Sequence, residues 1–149
     1  MPKRKVRLTV RLPPYPKPKT TKGSARPGMA WRGDVYRASI EAAKERGIER
    51  YEGVDLQCEV IIYLSRTKMK FHDVDNLQKH IFDALQGRLG GPKTRKRRPA
   101  ILPNDYQIRR VTVEKREQRS AREHSRLVIR DFAKIQRYRD RNLLTKALG

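Results

Sequence analysis

The sequence predicts a single α/β domain of the α+β kind, a mixed β-sheet of about four strands with helices packed on it. Three observations carry that prediction. Lys5 to Leu12 (KVRLTVRL) alternates without a break, with Val6, Leu8, Val10 and Leu12 on one face and Arg7, Thr9 and Arg11 on the other. Val54 to Leu64 (VDLQCEVIIYL) repeats the alternation, with Leu56, Cys58, Val60, Ile62 and Leu64 inward. After each of these strands a stretch follows whose apolar residues recur at helical spacing, so strands and helices succeed one another.

The first strand ends at LPPYPKPKTTKGSARPG, where closely spaced prolines and glycines exclude regular structure. Lys17, Lys19, Lys22 and Arg26 make this loop, residues 13–30, basic and a candidate for contact with phosphate. Tyr15 and Trp31 offer two roles, stacking on exposed bases or packing at the edge of the core. Trp31 to Gly47 reads as a helix with Tyr36, Ile40 and Ala43 along one side; Arg32, Arg37, Lys44 and Glu45 face out, and Gly47 is the stop. The second strand leads through a cationic turn, SRTKMK, into a further helix that runs to about Arg88. Leu77, Ile81, Ala84 and Leu85 form its buried face.

Gly90 to Pro103 (GGPKTRKRRPAILP) has no apolar period and reads as a loop; its cations are Lys93, Arg95, Lys96, Arg97 and Arg98. A third strand is expected within Asn104 to Glu117, around Ile108 and Val111–Val113, and a fourth in Ser125 to Phe132, joined by a polar turn. The domain is therefore residues 1–132, with basic loops at 13–30 and 90–103. Residues 133–149 form a basic extension with a weak helical pattern in Ile135, Leu143, Leu144 and Leu148.

Charge narrows the class of partner. The 149 residues hold 37 Lys and Arg against 16 Asp and Glu, a formal net charge of +21. So large an excess points to a polyanion, DNA or RNA before a membrane, since no long apolar stretch or amphipathic anchor stands out. The opening MPKRKVRLTV lacks the apolar centre of a signal peptide, and the one cysteine, Cys58, excludes a disulfide framework. Cys58 falls on the inner face of its strand and reads as core. The expectation is a soluble cytoplasmic protein, in a bacterial or phage-infected cell.

Acidic residues are scarce here, which gives weight to the pair Asp73 and Asp75 in FHDVDNLQKHIFDAL. Two carboxylates so close repel one another unless a cation lies between them, and a hard divalent ion such as Mg²⁺ suits oxygen ligands. The competing explanation is capping, because aspartate is favoured at helix starts. A cap accounts for one aspartate and leaves the other, and the flanking His72, unexplained. Lys79 and Asp83 continue the row at i+4 and i+8 from Asp75, off the buried face.

The string DVDNLQK with FDAL, Asp73–Lys79 and Phe82–Leu85, resembles the signature of RusA-type Holliday junction resolvases. The segment LPNDYQIRRV, Leu102–Val111, looks like that family's segment around a third aspartate, here Asp105. The likeness runs from about Val6 to Phe132, and the loop at 90–103 is longer and more basic than the family pattern. It implies a RusA-like fold and a homodimeric, Mg²⁺-dependent endonuclease (Mn²⁺ being an alternative metal) that cuts branched DNA such as a four-way junction. It further implies Asp73, Asp75 and Asp105 as metal-binding carboxylates and Lys79 as a catalytic cation. The bland role for Lys79 is an ion pair with Asp75 or Asp83. His72 is a candidate proton carrier or phosphate contact, Asp83 reads as structural, and His80 and His124 have no supporting constellation. The alternative class is a non-catalytic basic protein that binds branched DNA or RNA.

Overall fold

The computed structural model describes residues 6–15, 27–51, 54–89, 98–102 and 105–132, apart from the side chains of Pro27, Phe71 and Asp105. They form one four-stranded mixed sheet with helices packed on it. The strands are β1 (Val6–Arg11), β2 (Leu56–Leu64), β3 (Ile108–Glu117) and β4 (Arg126–Asp131), in the order β1-β4-β2-β3. β4 is antiparallel to both β1 and β2, whereas β2 and β3 run parallel. A parallel pair needs a crossover, and here it is helical: α2 (Arg66–Phe71) and α3 (Val74–Leu85) separate the two strands.

The alternation read from the sequence is the alternation of burial. Leu8 and Val10 of β1, Leu56, Cys58, Val60, Ile62 and Leu64 of β2, and Leu127 and Ile129 of β4 line one face. On that face lie α1 (Pro27–Glu45) and α3, packed on one another. Leu77, Ile81, Ala84 and Leu85 of α3 are buried there, as their spacing requires. Each such aliphatic side chain contributes about 1.5–3 kcal/mol by leaving water. Burial pushes the Cys58 thiol up to about 12, so it stays protonated and inert.

Both long helices close on glycine. Gly47 (φ 69°) donates to the Lys44 carbonyl while Ile48 donates to that of Ala43. Gly87 (φ 72°) and Arg88 do the same for Ala84 and Asp83. This is the paired end-bond of the Schellman motif, which needs a left-handed residue. It stops α3 at Leu85, short of the expected Arg88.

Four other expectations are corrected. The SRTKMK turn is a short helix, α2, because Ser65 caps it by accepting from the Lys68 amide. Arg32 does not face solvent; it is buried on α1 with two side-chain partners on α3. Tyr15 and Trp31 are core residues and not a base-stacking platform: Trp31 is fully buried and its indole N–H donates to the Pro13 carbonyl at 2.9 Å. Val6 leaves the inner face because β1 bulges between Val6 and Leu8. Among the described residues no helix is long and apolar enough to cross a membrane.

Candidate active site

Asp73 and Asp75 lie where α2 hands over to α3. His72 and Asp73 are the two extended residues of the joint (φ −116°, ψ 113° and φ −74°, ψ 143°), and Asp75 stands in the first turn of α3. Asp73 therefore occupies the N-cap position, and its carbonyl accepts from the Leu77 amide at 3.1 Å. Its carboxylate, however, makes no capping hydrogen bond. Asp73, Asp75 and Lys79 are all exposed, and none has an ion pair with another described residue. Asp83, one turn further along, is engaged by the Arg32 guanidinium at 3.1 Å. The ion pair suggested for Lys79 is thus replaced, at Asp83, by an arginine from another helix.

The joint is held from behind by groups that composition and spacing did not single out. Lys115 of β3 donates to the carbonyls of His72 (2.7 Å) and Met69 (3.1 Å). Lys68 reaches the Tyr15 carbonyl through a very short contact. The Tyr15 ring packs on His72 at 4.3 Å and on Trp31 at 5.2 Å, and Trp31 meets His80 edge-on. Behind His72, the Arg32 Nε–H donates to His80 Nδ1 at 3.1 Å, so that nitrogen is the acceptor. Gly28 leaves room for this ring: a Cβ there would meet His80 Nε2 at 2.5 Å.

Electrostatics keep both histidines neutral. Burial lowers the His72 pKa, and the neighbouring Lys68 and Lys115 lower it further. Burial, then Arg32, lowers that of His80. His72 is consequently a poor proton donor near neutral pH, and its place is to pack the joint. The signal for Lys115 was available, since it sits at an inward position of an alternating strand, in step with Val111 and Val113. The signal for Arg32 was weaker, a cation beside Trp31 on a helix whose partner face was unknown.

Asp105 is placed elsewhere. It opens the 3₁₀ turn Asp105–Gln107 that leads into β3. The parallel register sets Ile108 beside Leu56, so this turn lies where β2 begins. Gln107 fixes it there, its amide donating to the carbonyls of Tyr51 (2.9 Å) and Val54 (3.3 Å). Asp73 follows the end where β2 stops, at the level of Lys115. Seven residues of strand from Ile108 to Lys115 span about 23 Å, far beyond the reach of ligands sharing one ion. Among the described residues no group of three or more His, Cys, Asp or Glu is arranged to hold a metal.

The two basic loops divide in the same way. The first is rooted at Tyr15 and Gly28, against His72 and His80, beside the aspartate pair. The second is rooted where Arg98 donates to the Gly87 carbonyl, at the C-terminal end of α3 and about 18 Å along the helix from Asp73. An arm beside the pair was expected; within one chain its root stands with Asp105 instead. Lys17, Lys19, Lys22, Arg26, Lys93, Arg95, Lys96 and Arg97 lie outside the described residues, as does the extension at 133–149. Arg98 is exposed.

The donor set of the pair fits a hard divalent cation. Two exposed carboxylates, one of them at a cap position yet not capping, leave oxygens available where the helix start already favours negative charge. Mg²⁺ commonly takes one or two protein carboxylates and completes its shell with water and phosphate oxygen. No protein-family model matches the chain, and no curated protein matches it.

Proposed function

We propose that this protein is a Mg²⁺-dependent endodeoxyribonuclease that cuts branched DNA, with Asp73 and Asp75 as the metal-binding pair. The observation that carries the reading is the free carboxylate at the α3 cap: an aspartate in capping position that makes no capping bond, beside a second exposed aspartate. The D-x-D-N-L-x-K string around it, with its likeness to RusA-type resolvases, and the +21 charge add independent support. A bound divalent ion supplies a hydroxide nucleophile near neutral pH and charge compensation at the phosphate.

The chain's own residues do the rest. Asp73 and Asp75 hold the ion from two frames, an extended joint and a helical turn, so the pair is splayed and not collapsed. Lys79, on the same exposed row, meets charge developing on the phosphoryl oxygens. Lys115 and Lys68 fix the joint through carbonyls, leaving the carboxylates unneutralised. Basic loop 13–30, rooted at Tyr15, tracks the sugar–phosphate backbone, and binding weakens steeply with salt. A junction offers two equivalent strands, which suits a two-fold dimer carrying one pair per subunit.

The position of Asp105 favours a second reading, a basic protein that binds branched DNA without cutting it, because one chain alone gathers only two carboxylates. One experiment decides between them. A labelled four-way junction and a linear duplex are incubated with wild type or Asp75→Asn, with Mg²⁺ or EDTA at constant ionic strength. Paired nicks near the branch point, made by wild type with Mg²⁺ alone, establish the enzyme. Tight junction binding by both proteins with no cleavage under Mg²⁺ or Mn²⁺ leaves the binder.

A further inference from the structure

We infer that two copies of this chain join through the open edge of β3, and that each supplies Asp105 to the aspartate pair of the other. The inference rests on the reading of Asp73 and Asp75 as a metal site and adds where the missing carboxylate comes from. β3 is the outermost strand of the sheet, ten residues long, and among the described residues no strand pairs with its outer edge. A long open edge presents a row of unpaired N–H and C=O groups, a template for another strand.

A second copy fits that edge by charge. Two β3 strands paired antiparallel about Thr112 set Arg110 of each opposite Glu114 of the other, twice by symmetry. Val111 then faces Val113. Opposite charges directly across an antiparallel pair are favourable, and an isologous contact repeats the gain. Arg109 falls opposite Lys115, but the Lys115 ammonium is turned away onto the His72 and Met69 carbonyls.

The same pairing resolves the separation inside one chain. Asp105 and the root of the second basic loop stand at the start of β3, and Asp73 and Asp75 stand toward its end. Antiparallel strands lay the start of one against the end of the other. Each pair thereby gains Asp105 and the adjoining arm from the second copy. A parallel or helix-mediated dimer gives no such exchange.

Two measurements test this without relying on cleavage. Single cysteines at Arg110, Val111, Thr112, Val113 and Glu114 are oxidised under mild conditions, the native Cys58 thiol being buried and unreactive. Facing residues in an antiparallel pair lie about 4.5–5.5 Å apart at Cα, within disulfide range. Cross-linked dimer should peak at Thr112→Cys and fall away on either side, with none at Glu41→Cys on α1. A chain that sediments as a monomer, or dimers that cross-link no better along β3 than at Glu41, would overturn the proposal.

The exchange of Asp105 is read by Mn²⁺ binding, followed by loss of the free-ion resonance. Asp75→Asn and Asp105→Asn each lose tight binding alone. An equal mixture, after subunit exchange, should regain about one quarter of the wild-type sites, since half the dimers are mixed and each has one intact site of two. No recovery in a mixture shown to contain mixed dimers sinks it. Cross-linking and Mn²⁺ recovery without any DNA cleavage would instead leave this inference standing and remove the nuclease. Cleavage by wild type without cross-linking or recovery would do the reverse.

Discussion

Two helices start within a few residues of each other, and their N-caps are used differently. At α2, Ser65 turns its hydroxyl back to accept from the Lys68 amide, the ordinary work of a cap. At α3, Asp73 holds the same extended backbone but leaves its carboxylate out of the cap. The contrast repeats along α3, where Asp83 is locked to Arg32 and Asp75 stays exposed without an ion pair among the described residues. Residues of one chemical kind are thus divided between holding the fold and remaining available. The fold does not need Asp73 or Asp75 for its stability, which is the expected mark of a site.

The largest effect expected from this contrast is on cleavage. Asp73→Asn should lower junction cutting by more than about 100-fold, since even partners one shell outside a metal cost 10–100-fold. Its unfolding free energy should stay within about 0.5 kcal/mol of wild type, the range of surface changes that remove no packed or bonded group. Cleavage rates and urea midpoints on the same preparations test both halves. A variant that cuts normally, or that unfolds far more readily, would reduce Asp73 to a structural cap.

Arg32→Met should show the opposite signature. The change leaves Asp83 and His80 without their donor in a mostly buried position. Removing one member of such a pair costs about 3–5 kcal/mol when burial is complete, and about 2–3 kcal/mol here because Asp83 keeps 20% of its side-chain exposure. Adding Asp83→Leu should recover part of that loss. A loss under half a kcal/mol would mean that Arg32 is not anchored as described.

Ser65→Ala, the direct counterpart of the Asp73 change, should cost about 1 kcal/mol of stability. Cleavage should fall much less than for Asp73→Asn, because α2 is also tied by Lys115 and packed under Tyr15. Parallel denaturation curves for Ser65→Ala and Asp73→Asn set the two caps side by side. Equal losses from both would erase the distinction between them.

The strands, the buried face of α3 and the aspartate pair were legible because each rests on periodicity or on a local string. Strict alternation tells which side of β2 is inward, and helical spacing does the same for Leu77, Ile81, Ala84 and Leu85. What escaped depends on contacts between elements distant in sequence. Arg32 is charged and reads as exposed until Asp83 and His80 are known to face it. Tyr15, in a proline-rich stretch, reads as loop until His72 and Trp31 close on it. The position of Asp105 follows only from the parallel register of β2 and β3, which no local pattern encodes.

The smallest expected effect is on pH, and its sign follows from the two histidines packed behind the pair. Both are held below the ordinary value of 6.5 in the folded chain, His72 by burial with Lys68 and Lys115, His80 by burial with Arg32. Unfolded, each returns to about 6.5. As pH falls below that value the unfolded chain takes up protons that the folded chain still refuses, so stability is lost. It is fully present above about pH 6.5 and declines until the folded groups themselves titrate. His80 gives the clearer test, because a proton on Nδ1 would abolish the acceptor of the Arg32 bond and set two cations together. The thermal midpoint of wild type should drop between about pH 7 and pH 5, and His80→Gln should flatten part of that slope while lowering the plateau. If the variant keeps the wild-type slope unchanged, His80 is not neutral in the folded protein and the Arg32 contact is not as drawn.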